Sequence, residues 1–219
     1  MKKIIIVGNG TYAQMMKKYI DLTSFGEVCA YAVDQDFIHE KELDKVRVIS
    51  FDEMKEQFSC EDVALVMGIG YTQMSNVRKR VFEQCKAWGY NFENYIHPTA
   101  IVAPDIIIGE GNNILEGVLI EAGCSIGNAN LLFGGSMLGH DSCVGNYNTF
   151  AGKSMIAGCV TVKNNVFLGV SSAVKDHVTL NNYVLLGAMA YGYKDMEEYA
   201  VAVPAKSVVL KDKKSTEYL

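Results

Sequence analysis

The chain has 219 residues, 49% hydrophobic and 21% charged with only three prolines, which excludes a disordered tail and leaves room for a real core. A net charge of -5 argues against a nucleic-acid surface, and the one short basic run, KDKK at 211–214, reads as a solvated end. Six cysteines (29, 60, 85, 124, 143 and 159) with no CxxC pair predict structural thiols in a reducing cytoplasm and no disulfide framework.

In MKKIIIVGNG two lysines precede an apolar run, but that run is too short for a signal peptide, and no segment approaches a membrane span. Lys3–Val7 instead predicts a buried parallel strand feeding a tight turn. TYAQMMKKYIDL follows with helical spacing, placing Ala13, Met16, Tyr19 and Ile20 on one side. EVCAYAVD (27–34) predicts a second strand ending at Asp34. VRVIS, an FDEMKEQF helix, DVALVMGIG and a long MSNVRKRVFEQCKAW helix continue the alternation. Residues 1–94 therefore predict a small βαβ-type sheet of about four parallel strands.

From residue 96 the period becomes six. Every sixth position from Ile96 through Ile114, Leu132, Phe150 and Leu168 to Leu186 is large and apolar, sixteen in succession. Neither a helix nor a simple strand produces that spacing. Small or β-branched residues precede the apolar position by two (Cys124, Ser136, Ser142, Ser154, Val160, Ser172), and glycine often follows it. This pattern predicts a parallel β-helix over 95–191, with aliphatic ladders inside, small residues at tight corners, and Gly or Asn relieving backbone strain there. Eighteen residues make one coil, so residues eighteen apart stack about 4.8 Å from each other. Residues 192–219 predict a capping segment.

Of the four histidines, His39 lies in a polar stretch, His97 at the junction of the halves and His177 at a corner, all readable as solvated or packing residues. His140 sits between Gly139 and Asp141 at a corner in mid-helix. Acyl transfer from a thioester needs a base, a carboxylate that fixes the base's tautomer, and a donor to the oxyanion. His140 suits the first role and Asp141 the second. One coil on is Gly158, where a backbone N–H can face a thioester carbonyl with no side chain in the way.

The GNG turn, Asp34, GIG at 68–70, IHPTA at 96–100, the hexapeptides, GHD and PAK at 204–206 together resemble the bacterial sugar acyltransferases, in which a small Rossmann-like domain precedes a left-handed β-helix. That family includes acetyltransferases of sialic acid and of UDP-linked bacillosamine precursors. The left hand of the coil is implied by this resemblance and not by the period. The resemblance places the family's His-acid pair and glycine on His140, Asp141 and Gly158. Its second histidine, nine residues after the first, is replaced here by Thr149, which would meet the acyl group of acetyl-CoA without acting as a base. The pantetheine would lie near Val170 and Ala188, with Lys206 offering charge to a phosphate. The first domain would hold a nucleotide-sugar. Gly8, Asn9 and Gly10 would approach a phosphate at a helix N-terminus, and Asp34, Gly68 and Gly70 would meet the base or ribose. Arg78 would pair with phosphate, although one turn of RKR on a helix otherwise reads as a wet face. GNGTYAQ lacks the third glycine of a dinucleotide fingerprint, and its glycines are also explained by a tight turn.

These readings converge on an acyl-CoA-dependent N-acyltransferase, most simply an acetyltransferase, acting on a nucleotide-linked amino-deoxysugar in surface-glycan synthesis. The resemblance further implies a homotrimer, while the cysteines and the lack of a signal or spanning segment predict a cytoplasmic protein, and no metal is expected. A sugar or sialic acid O-acetyltransferase uses the same base, and a non-catalytic β-helix binding module is the alternative of another class. A zinc hydratase on this scaffold needs three histidine ligands, and the coils offer only His140 and His177.

Overall fold

The computed structural model describes residues 2–207 and 216; the KDKK run at 211–214 lies outside the described residues. The first domain comprises β1 (Lys3–Val7), α1 (Thr11–Thr23), β2 (Glu27–Val33), β3 (Glu42–Leu43), β4 (Val46–Ser50), α2 (Phe51–Gln57), β5 (Ala64–Met67) and α3 (Asn76–Ala87). The sheet order is β3-β4-β2-β1-β5. Four strands are parallel as expected, and the addition is β3, an antiparallel edge strand paired with β4. Strand β1 is buried at every position from Ile4 to Val7 because helices cover both faces. Ala13, Met16 and Ile20 of α1 pack with Ile4 and Ile6. On the other face Phe51, Met54, Val81, Phe82 and Cys85 pack with Ile5 and Val7. Ser50 starts α2 through a reciprocal capping box with Glu53, which satisfies two otherwise orphaned backbone donors.

From Tyr95 the chain winds a left-handed parallel β-helix of two-residue strands, the last at Val201–Ala202. The strands stack in three sheets of six, five and seven. The register advances by one coil at each step, with Leu119 opposite Met137 and Met137 opposite Met155. It shortens only at the last coil, where Leu185 meets Val201. Ile114, Leu132, Phe150, Leu168 and Leu186 are fully buried in one continuous core. Ile96, expected inside, is 38% exposed, since no coil lies beneath the first one to cover it.

The corners depart from expectation in a second way. The left-handed residues are glycine at 111, 117, 123 and 135 but Ala129 between them, and thereafter they are Asp141, Tyr147, Lys153, Cys159 and other non-glycines. The glycines that follow the apolar position are not left-handed. At Gly139 a side chain would run into the backbone of Ala157 and Gly158 on the next coil, so close coil packing and not backbone strain excludes the Cβ there.

The outer face of the seven-stranded sheet is covered by the first domain. Tyr95, Leu131 and Tyr147 are buried in the cores beside α1 and α3. Tyr12 packs on Phe133 with ring centroids 5.6 Å apart, and Asn113 donates to the Tyr12 hydroxyl at 2.9 Å and to the Met67 carbonyl at 2.7 Å.

Candidate active site

His140 stands on the edge of the prism between the six- and five-stranded sheets, between the strands Met137–Leu138 and Cys143–Val144. Its Nδ1 lies 2.9 Å from Asp141 Oδ2. Asp141 adopts a left-handed φ of 56°, a conformation Asp tolerates better than most residues, and this lets two consecutive side chains meet. The His140 backbone N–H donates to Glu121 Oε2 at 2.8 Å, and the His140 carbonyl accepts from Cys159 N–H at 2.8 Å. Gly158 lies directly over the imidazole, and a Cβ there would overlap the ring. The arrangement occupies Nδ1 with a carboxylate and sets Nε2 against Gly158, with the Cys159 thiol close to the pair. Asp141's hydrogen bond raises the imidazole pKa above its ordinary value; desolvation opposes this, and the charges of Asp141 and Glu121 add to it. Glu121, unremarked in the sequence, is nineteen positions before His140, one coil and one residue away.

Val170 and Ala188 are exposed and stacked one coil apart, but on the edge between the seven- and six-stranded sheets. In one protomer they and His140 lie on different edges of the prism. Lys206 is exposed beyond the last strand. His39 and His177 are exposed, and His97 holds Thr99 Oγ1 at 2.8 Å.

In the first domain Gly8, Asn9, Gly10, Asp34, Gly68 and Gly70 line a single cleft of about 460 Å³ at the carboxyl ends of the parallel strands. Gly8 has a φ of 114° and approaches the Gly68 carbonyl too closely to carry a side chain, so these two turns form one floor. Gly10 caps α1 with no side-chain hydrogen bond and no acidic residue in the first turn, which leaves the helix N-terminus available to an anion. Phe37 and Tyr71 wall the cleft, and Asn9 is fixed by its bond to the Phe37 carbonyl at 2.8 Å.

Two expected ligand residues do not reach either site. Arg78 is fully buried; the cleft arginine is Arg80, which pairs with Asp34 Oδ2 at 2.8 Å. Two residues apart on α3, they project on nearly opposite sides, and the side that faces the β-helix took Arg78. Thr149 is 1% exposed and accepts from Arg78 Nη2 at 3.1 Å, so it cannot meet coenzyme A: its strand belongs to the sheet that the first domain covers.

Residues 3–85 match the PglD N-terminal domain family, and the sequence matches no curated protein. The perosamine N-acetyltransferase of Caulobacter crescentus, solved in complex with CoA and GDP-perosamine, is 26% identical. The likeness covers 94% of this chain and 96% of that one, with a TM-score of 0.82. The acetyltransferase domain of PglB from Neisseria gonorrhoeae is 18% identical over 92% of this chain and 96% of its own, with a TM-score of 0.81. WeeI from Acinetobacter baumannii is 16% identical over 93% and 97%, with a TM-score of 0.82. The latter two show the shared fold alone. The first domain matches the PglD N-terminal type, and over nearly its whole length the chain is similar in sequence and fold to the perosamine N-acetyltransferase of Caulobacter crescentus.

Proposed function

We propose that this protein transfers an acetyl group from acetyl-CoA to the amino group of a nucleotide-linked amino-deoxysugar, with His140 as general base. The observation that carries the reading is the His140–Asp141 pair beneath Gly158. The sugar amine gives its proton to Nε2 as nitrogen attacks the thioester carbon. Asp141 holds the tautomer and balances the imidazolium, the Gly158 N–H meets the oxyanion, and collapse expels the coenzyme A thiolate. Nothing in this sequence of steps uses a metal. The cleft is the candidate nucleotide site, with the α1 N-terminus for the diphosphate and Asp34 and Arg80 at its rim. The complex of the Caulobacter crescentus enzyme with CoA and GDP-perosamine supports an amine acceptor over a hydroxyl.

A homotrimer supports this chemistry. The outward positions of the six-stranded sheet are Ile101, Leu119, Met137, Met155, Ala173 and Tyr191, with Ile101, Met155 and Tyr191 at 67%, 41% and 57% exposure. An apolar stripe of that length marks an interaction surface. It lies between the edge bearing His140 and the edge bearing Val170 and Ala188, so packing on it would bring the base of one copy beside the donor edge of the next. Six free cysteines support a cytoplasmic setting. No described helix is long and apolar enough to cross a membrane.

The test is to incubate the protein with acetyl-CoA and a panel of nucleotide-linked amino sugars and their hydroxyl counterparts, following free thiol. Thiol release with amino sugars is expected. Release only with hydroxyl sugars, or with none, refutes the reading.

A further inference from the structure

Arg78 is a buried cation to which the acyl-transfer steps assign no role. It is 0% exposed, and among the described residues no carboxylate pairs with it. Five oxygens solvate it: Gly70 O at 2.8 Å, Ser75 Oγ at 2.9 Å, Tyr147 O at 2.7 Å, Asn148 O at 3.0 Å and Thr149 Oγ1 at 3.1 Å. Its Nε has no partner, and burial pulls its pKa down to about 9. A cation removed from water without a counter-charge is costly. The cost is met at one particular place, where two of the oxygens belong to the loop before α3 and three to a coil of the β-helix.

That loop is strained. Gln73, Met74 and Ser75 are left-handed in succession, with φ of 53°, 50° and 66°, a conformation that non-glycine residues normally adopt singly. Such a run persists only where its surroundings over-determine it. Arg78 grips it at both ends, at Gly70 and at Ser75; the Ser75 hydroxyl, at the N-cap of α3, makes no capping bond. Upstream, Gly70, Tyr71 and Thr72 form a wall of the cleft. The Tyr71 ring packs on Phe167 of the β-helix with centroids 5.1 Å apart. Downstream, Gln73 and Met74 line a second cavity of about 530 Å³ over Tyr183, Leu185 and Tyr199.

We propose that Arg78 is a positioning residue for the acceptor: by clamping the 70–75 loop onto the β-helix, it sets the wall of the cleft and so the line along which the bound sugar leaves it. This rests on the reading of the cleft as the nucleotide-sugar site. Its β-helix partners, Tyr147, Asn148 and Thr149, lie neither on the His140 edge nor on the edge of Val170 and Ala188, so the proposed donor side is independent of the clamp.

The experiment compares the parent protein with Arg78→Met, Arg78→Lys and Tyr71→Ala. Methionine keeps the bulk without the charge, a kind of replacement that buried ions often tolerate. Tyr71 is 53% exposed, so its loss spares the core. Melting temperature, nucleoside diphosphate affinity by calorimetry, and kcat and KM for acetyl-CoA, for a nucleotide-linked amino sugar and for the same sugar without its nucleotide are measured. Arg78→Met is expected to lower kcat/KM for the linked acceptor by about 10²-fold, the cost of an ångström-scale misplacement. Nucleoside diphosphate binding should weaken, while KM for acetyl-CoA and turnover of the unlinked sugar stay within twofold. Arg78→Lys restores charge but not the fork and should recover part of the loss; Tyr71→Ala should reproduce it. Equal loss for linked and unlinked acceptors, or unchanged diphosphate affinity and acceptor kinetics, overturns the proposal. If Arg78→Met does not fold, Tyr71→Ala and Arg78→Lys decide by the same criteria. If the parent turns over no amino sugar, the functional reading fails, and the diphosphate affinities alone decide whether the clamp shapes the cleft.

Discussion

His140 has a carboxylate on Nδ1 and the side-chain-free Gly158 beside Nε2, with its side chain 60% exposed. Little core energy depends on it, so His140→Asn should leave the melting temperature unchanged and lower kcat by ~10²–10⁴-fold, the usual worth of a positioned base. The pH dependence follows from the raised pKa. As the proposed base, His140 works only when neutral, so kcat/KM should rise with pH through an acid limb above the ordinary histidine value. Asp141→Asn removes the largest cause of the shift and should move that limb to lower pH, with a smaller loss of plateau rate than His140→Asn. A limb that stays in place would show that Asp141 does not tune the base. Gly158 has no left-handed φ, so the backbone tolerates alanine there, but the added methyl overlaps the imidazole. Gly158→Ala should fold normally and lose about 10²-fold in kcat, read by steady-state kinetics beside a melting curve. The adjacency of residues 140 and 141 and the one-coil step to 158 were legible because both follow from chain order and a fixed period.

At the scale of an element, the coil is held by more than its aliphatic ladders. Asn94, Asn112, Asn130 and Asn148 stack one coil apart, each amide bonding to the next, and Asn128, Asn146, Asn164 and Asn182 form a second such column. Asn130 is fully buried, donates to Asn112 Oδ1 and Gly145 O at 2.9 Å, and accepts from Asn148 N–H at 2.8 Å. Asn130→Ala strands the Gly145 carbonyl and the Asn148 N–H on the next coil, while Asn112 Oδ1 keeps the Asn130 backbone N–H, and should destabilise by about 2–4 kcal/mol, measured by denaturant unfolding; a change under about 0.5 kcal/mol would mean that water replaces the amide. The eighteen-residue spacing of these asparagines stands in the sequence, but the six-residue apolar period gives no sign of which polar residues bond to one another. Within α3 the sequence showed two arginines on different faces, and spacing could not say which face the β-helix would cover.

For the whole molecule, the proposed acceptor cleft and the proposed base lie on different domains. Asp34→Ala should raise the acceptor KM by freeing Arg80 from its 2.8 Å partner at the cleft rim, while KM for acetyl-CoA stays constant; equal loss for both would mean a damaged sheet. Assembly is tested on the apolar stripe. The parent should scatter light as three times its 24.1 kDa chain, and Met155→Glu, which puts a charge in the middle of the stripe, should give a monomer with little activity. A Met155→Glu protein that keeps its mass and rate would remove this sheet from the interface.

The sequence by itself determined the two periods, and hence the parallel sheet and the coil, because inward-facing positions repeat with the geometry of each element whatever surrounds it. It also determined the His140–Asp141–Gly158 column, through local order and coil length. Only the tertiary structure decided which outward faces are covered. Docking the first domain on the seven-stranded sheet buried Thr149, turned Arg78 inward and left Arg80 at the cleft. Outward positions carry no periodic signature of their partner, since an exposed face and a face awaiting a neighbour can hold the same residues until the elements meet.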